Sequence, residues 1–374
     1  MKLQGIRVVD LSVFLPGPYL TMIMADHGAE VIKVEQPGKG DPGREIGPVQ
    51  GDTTVFFRNM NRGKKSIALD LKSADGRSKL LKLCETADVF VESFRPGVME
   101  RLGIDYETIS AFNPRIVYCS ISAFGQDGPY RNLPAHDLAV EALGGSLSIT
   151  RDSNGHPVIP GIPAADIISG LQALGGVLMT LYRREKTGRG DRIDIAMLDG
   201  ILAAYPNVLG PVFAEKREPI LRHERSLGGS AFYQIYETKD GRHIVLGGQE
   251  MKFVHNLLSA VDRLDLLPLC ERGPGPHQKP VIEFLRSLFL EKTQAEWIEW
   301  FRDRDICFAP VKTLREALDD PQARHRGMLL IDSNGREHLG VPIKFQHEPA
   351  QPRLTVPRLD EHRAEILSRI GETE

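Results

Sequence analysis

Apolar residues follow two rhythms along this chain. The run at 6–11 (IRVVDL) is apolar on both faces of an extended backbone and reads as a buried parallel strand. The LPGP turn at 15–18 breaks it, and residues 19–27 carry apolar side chains at helical spacing until Gly28 stops them. Residues 29–35 (AEVIKVE) form a second predicted strand. Strand, helix and strand within about 30 residues is a βαβ unit, whose crossover is right-handed. The alternation recurs, with strands predicted at 65–71, 89–92 and 116–122 and a helix at 74–86 between the first two. A doubly wound α/β fold with a parallel sheet follows from this pattern. Further on, residues 166–186 form a long amphipathic helix that ends in TGRGD, and 192–197 return as a strand.

The rhythm then changes. Residues 214–229 (AEKREPILRHERSLGG) are charged and glycine-containing, as in a linker or exposed loop. Beyond them, FYQIYETKDGRHIVLGG shows two alternating runs around Lys239, Asp240 and Gly241, a predicted hairpin that opens a second unit. Helical segments continue to about residue 318, and a proline-rich stretch (EPAQPRLTVPRLDEH) leads into a short final helix. The sequence contains no internal repeat and no low-complexity segment.

Composition narrows the function classes. The 374 residues are 41% hydrophobic and 26% charged, with a formal net charge of −3, so no overall basic field draws the chain to nucleic acid or an anionic membrane. The four cysteines lie far apart, without CxxC pairs or metal-like spacing to histidine, and read as reduced thiols. The apolar stretch near residue 10 is short and broken by Asp10 and the prolines, which fits neither a signal peptide nor a membrane span. A cytoplasmic protein is expected.

The first turn, SVFLPGP, holds a single glycine and cannot supply the GxGxxG approach to a pyrophosphate, which argues against a nicotinamide or flavin enzyme even though Glu35 ends the second strand. The stretch 58–72 carries five basic residues, with Arg95 and Arg101 beyond it; ligand phosphates would suit them, and so would a solvated face. Three acid or histidine contexts stand out. His136 and Asp137 sit where a turn enters an apolar helix, so Asp137 reads equally as part of an N-terminal cap. Asp166 opens a strongly apolar helix, where the helix dipole favours its charge. Glu250 follows glycines at a predicted strand end. No GxSxG elbow, HExxH motif or Walker loop is present.

The ordered segments VVDLSVFLPGPYLTMIMADHGAEVIKVEQPGKGD, NRGKKSIALDLK, ADVFVESFRPGVMERLG, NPRIVYCSISAFGQDGPY, PAHDLA to AADIISG, and REKTGRGDRIDIAMLDG resemble the class III CoA-transferases, a family that includes the α-methylacyl-CoA racemases. The resemblance covers nearly the whole chain. It implies a Rossmann-like large domain (1–213), a linker (214–229), a smaller α+β domain (230–325) and a return segment to the large domain (326–374), in a homodimer of interlocked rings. It also implies a CoA site at Phe14, Leu15, Leu69, Lys72, Phe94, Arg95 and Arg101. The chain departs from many members at Gln36, where they carry an arginine near the adenine.

Asp166 matches the family's catalytic aspartate. In the transferase reading its carboxylate attacks an acyl-CoA thioester to give a mixed anhydride, then an aspartyl-CoA thioester from which a carboxylic acid acceptor takes CoA. No metal and no cofactor beyond the CoA thioester substrate are expected. In the racemase reading His136 and Asp166 exchange the α-proton of a 2-methylacyl-CoA on opposite faces, and Glu250 contacts the histidine. His136, where transferases commonly carry tyrosine, and the loops LGGSAFYQIY and GGQEMKF speak for the racemase. The insertion GDPGREIGPVQGDTTVFFRNMNRGKKS, the AADIISGL context and the family's predominant chemistry favour CoA transfer.

Overall fold

The structure is a computed structural model of the chain and describes residues 1–372. It divides into two units, Met1–Ala204 with Pro321–Glu374, and Tyr205–Asp320. The larger unit is built on six strands: β1 (Arg7–Asp10), β2 (Glu30–Glu35), β3 (Lys65–Ala68), β4 (Val89–Glu92), β5 (Val117–Ser122) and β6 (Asp191–Ala196). They pair in parallel in the order β3-β2-β1-β4-β5-β6, which is the strand order of doubly wound dinucleotide-binding sheets.

Alternate residues of each strand face opposite layers, so the sheet has two cores. Val9, Ile32 and Phe90 pack with Leu80 and Leu83 of helix α1 (Ala74–Glu85) on one face. Val8, Val31 and Val91 pack on the other with Ala173, Leu174, Val177 and Leu181 of helix α2 (Ala164–Thr187). Burial on both faces explains why these strands read as continuous apolar runs rather than as alternating ones. By length and composition α2 is also apolar enough to cross a membrane, yet here its inner face is core.

Two boundaries differ from the sequence pattern. The LPGP turn does not end before its helix: Pro16–Asp26 is one α-helix, with both prolines in the first turn, where backbone N–H groups need no intrahelical partner. Gly17 is required there, because a Cβ would coincide with the Ser12 side chain. The strand expected over 65–71 stops at Ala68; Leu69 still donates to the Glu35 carbonyl (2.9 Å), and the Asp70 carbonyl then turns to accept Ser73 N–H and Oγ.

Charge is buried beneath the C-terminal end of β1. Asp10 and Lys64, neither of them exposed, pair at 3.0 Å, and Lys33 pairs with Asp41 at 2.7 Å. Burial alone would raise Asp10, but Lys64, Lys33 and the hydroxyls of Ser12 and Thr21 outweigh it and hold the carboxyl at about 2. Burial brings Lys64 down to about 8 despite Asp10.

The segment after residue 320 completes the larger unit along β3, an edge of the sheet. Ser66 N–H donates to His362 Nδ1 (3.3 Å), and Ala68 N–H to Asp360 Oδ1 (2.7 Å). The Ser66 carbonyl accepts from His362 N–H (3.0 Å), and the Ala68 carbonyl from Arg363 Nη1 (2.9 Å). Side chains and loop thus satisfy the outward backbone groups that a seventh strand would otherwise take.

The second unit has three antiparallel strands, Gln234–Glu237, His243–Leu246 and Phe308–Pro310, with the second in the middle. The hairpin expected at 239–241 is present, closed by Thr238 N–H to the Arg242 carbonyl at 2.9 Å. Trp297, Phe289, Tyr236 and Phe301 form its aromatic core, and the Trp297 indole N–H reaches the Phe289 carbonyl at 2.9 Å.

Candidate active site

Ligand crevices of open parallel sheets form where the strand order reverses, which in this sheet is between the C-terminal ends of β1 and β4. A pocket of about 880 Å³ opens there, and every residue that lines it belongs to the larger unit. Val13 and Phe14 come from the loop after β1, Phe94 and Arg95 from the loop after β4, His136 from the segment after β5, and Asp166 from α2.

The β1 loop is held from beneath. Val13 N–H donates to Ser93 Oγ (3.0 Å) and Phe14 N–H to Asp41 Oδ1 (3.4 Å). Phe14 has φ of 63°, a left-handed conformation that costs a bulky L-residue energy and persists only where the surroundings impose it. Its ring meets that of His136 edge-on, with centroids 5.6 Å apart and planes at 87°. The strained phenylalanine therefore forms one wall against the imidazole.

His136 precedes the helix Asp137–Leu143 and makes no side-chain cap, which leaves its ring for the pocket. The sequence reading allowed Asp137 to cap its own helix, but the carboxylate serves another one. Asp166 N–H donates to Asp137 Oδ1 (3.1 Å), and Ala164 N–H donates to Glu141 Oε1 (3.1 Å). Two acids one turn apart thus satisfy two of the open N–H groups of α2 from outside.

That arrangement sets the charge state of Asp166. The α2 N-terminus would favour its carboxylate. Burial, followed by the charges of Asp137 and Glu141, prevails and pushes Asp166 up to about 7. Asp137 is itself raised, first by burial and also by Glu141. Gly170 allows α2 to lie close to the proline helix, since a Cβ would stand 2.8 Å from the Pro16 carbonyl oxygen.

Phe14, Phe94, Arg95, His136 and Asp166 are brought together, whereas Leu15, Leu69, Lys72 and Arg101 do not line this pocket. Leu15 precedes the proline helix and accepts Tyr19 N–H with its carbonyl (2.8 Å). Leu69 turns its side chain into the core, 4% exposed. Lys72 and Gln36 are exposed, and Arg101 is exposed in the short helix Val98–Leu102. Glu250 stands in the second unit, before the helix Met251–Ala260, with no side-chain capping bond. The sequence reading missed Arg131, which lines the pocket, and Glu141, whose signal was an acid pair at i, i+4 in the apolar DLAVE turn. Among the described residues no group of three or more His, Cys, Asp or Glu is placed to hold a metal ion.

The profile of CoA-transferase family III matches residues 3–363. The chain is similar to succinyl-CoA:glutarate CoA-transferase of Homo sapiens, at 32% identity over 379 residues, 98% of this chain and 86% of that protein. It is similar also to α-methylacyl-CoA racemase of Homo sapiens, at 34% identity over 376 residues, 99% of this chain and 94% of that protein. Among solved structures, a CAIB/BAIF family protein from Brucella suis superposes with a TM-score of 0.85 at 29% identity, covering 98% of this chain and 99% of the other.

Proposed function

The chain belongs to CoA-transferase family III, and from that premise we propose that it transfers CoA from an acyl-CoA to a carboxylic acid, with Asp166 as the nucleophile. The observation that carries the reading is the raised carboxyl of Asp166 in the switch-point pocket. Burial and two neighbouring carboxylates disfavour its charge, and acylation removes that charge. A carboxylate that water and cations stabilised would be the poorer nucleophile.

In the reaction, an Asp166 oxygen attacks the thioester carbonyl and CoA leaves as thiolate, giving a mixed anhydride. The thiolate attacks the aspartyl carbonyl and releases the first carboxylate, leaving aspartyl-CoA. The acceptor carboxylate attacks this thioester, and the returning thiolate takes the acceptor's acyl group and frees Asp166. Phe14 and Phe94 give the pocket apolar walls that exclude water from the anhydride. Arg95, with Arg101 and Lys72 outside the pocket, offers charge to CoA phosphates. A contact at Leu69 falls to its backbone, because its side chain is in the core. In this reading two copies of the chain form the family's interlocked dimer.

One observation favours racemisation of a 2-methylacyl-CoA as a second reading: His136 faces the pocket with Asp166, and an acid near 7 suits proton exchange. Acyl-CoA with candidate carboxylates, and separately (2R)-2-methylacyl-CoA in deuterated water, distinguish the two by mass spectrometry. New thioesters without α-deuterium are expected; α-exchange without CoA movement would overturn the transferase. His136→Tyr should leave transfer within about tenfold of wild type, whereas as one of two acid/base groups its loss should cost racemisation about 10²–10⁴-fold.

Asp137→Asn tests the electrostatics. The amide retains the oxygen that accepts Asp166 N–H but loses the charge, so Asp166 should ionise at lower pH than about 7. The acidic limb of the pH–rate profile is expected to move to lower pH; an unmoved limb would show that Asp137 does not tune Asp166.

A further inference from the structure

The basic stretch 58–72 divides on inspection of its partners. Arg62 pairs with Asp26, Lys64 with Asp10, and Lys65 with Glu30 and Glu365. Among the described residues Arg58 pairs with no carboxylate. It lies in the helix Val55–Asn61, 2% exposed, and its Nη2 donates to the Glu337 carbonyl at 3.2 Å. Its Nε and Nη1 are buried without an acceptor. Burial, then the charge of Arg336, pushes its pKa down, and only Asp332 opposes them. A buried guanidinium with two idle donors is a costly arrangement that an anion would relieve.

A place for one exists. Arg58 lines a pocket of about 530 Å³ in the larger unit, with Asp52, Asp332, Arg336, Arg358 and Glu361 among the other walls, and it shares no residue with the Asp166 pocket. Its acids have partners other than Arg58, and two of them, Asp52 and Glu361, lie beside the pocket's own Arg336 and Arg358. Asp332 Oδ1 accepts Asn334 N–H (2.8 Å) and Arg336 N–H (2.9 Å), while Oδ2 faces His338 Nε2 (3.3 Å). Glu361 Oε2 accepts Arg358 N–H (2.7 Å). Asp52 is largely exposed and 3.5 Å from Arg336 Nη1. Gly51 makes room for Arg336, whose guanidinium lies where a Cβ would stand.

We propose that this pocket is a second ligand site, which takes an oxyanion, the phosphate or carboxylate group of a small metabolite, against the idle N–H groups of Arg58 with Arg336 beside them. The site is separate from the chemistry at Asp166 and does not depend on which acyl-CoA reaction is catalysed there.

Calorimetric titration of the full chain with sodium phosphate, with sodium succinate, and with sodium chloride at matched ionic strength tests it. Saturable binding of phosphate or succinate is expected, and the better of the two identifies the group recognised. Arg58→Met should weaken that binding at least about tenfold, and Arg58→Lys less. Should Arg58→Met fail to fold, Arg336→Gln, on the partly exposed wall, is expected to weaken it in the same direction. Absence of saturable binding above chloride, or binding unchanged in the variants, overturns the site.

Discussion

Asp166→Asn is expected to lower turnover on the order of 10³-fold or more and, at the same time, to make the protein more stable above pH 7. The two effects share one cause. In the folded chain Asp166 holds its proton up to about 7, whereas its ordinary value is 3.8. Between those values the folded state binds the proton more readily than the unfolded state does, so this residue makes stability fall as pH rises, and above about 7 the penalty is complete. Asparagine carries no charge and escapes it. Denaturation midpoints of variant and wild type should therefore coincide near pH 4 and separate in favour of the variant towards pH 8. Equal midpoints at pH 8 would show that the ionised carboxylate is not disfavoured; retained turnover would remove Asp166 from the chemistry.

Asp10→Ala should be the most destabilising single change near the site. It strands Lys64, which is fully buried, leaving it the Pro18 carbonyl and Asn61 Oδ1 as partners, and deprives Lys33 of one of its nearby carboxylates. Removing one member of a buried pair costs about 3–5 kcal/mol, because the other charge remains without compensation. The pH dependence has a definite sign. Folded Asp10 is held at about 2, below its ordinary 3.8, so its contribution is complete above 3.8 and is lost as pH falls through about 2. The gap between wild type and variant should persist at neutral pH and close in strong acid. Raising the pH to about 9 should recover part of the loss, as Lys64, already near 8 in the intact pair, gives up its proton. Urea unfolding at three pH values measures this. A loss below about 1 kcal/mol at pH 7 would mean that the cluster is hydrated.

The doubly wound sheet was legible because strands buried on both faces leave uninterrupted apolar runs, and β1, β2, β4 and β5 fall within a residue or two of the predicted spans. The helix that follows was legible from residue 19, but its first turn was not, because Pro16 and Pro18 break helices in their interiors but suit a first turn, and one sequence pattern serves both. His136 and Asp166 could be singled out one at a time from the turns and helix starts that carry them. Their meeting in one pocket was expected from the family resemblance alone, since no local pattern carries it and it depends on which strand ends adjoin where the order reverses. Glu141 was hidden for another reason. Its acid pair with Asp137 at i, i+4 is a local signal, but the carboxylate serves a helix 23 residues further along the chain, and the pair does not say which helix it caps. Arg58 was visible as charge, but Arg62 and Lys64 are as deeply buried, and what separates it from them is the carboxylate that each of those has as partner, which the sequence does not assign.

The covering of β3 by residues 360–363 has a consequence for synthesis. On the ribosome, the first five strands of the parallel sheet emerge nearly 240 residues before the loop that shields this edge. Throughout that interval the nascent sheet offers open backbone donors and acceptors to any strand nearby, including one on a neighbouring ribosome. A cell making this chain must therefore manage an unfinished edge for most of the time of translation, and heavy overexpression should strain that capacity before it strains the stability of the finished fold.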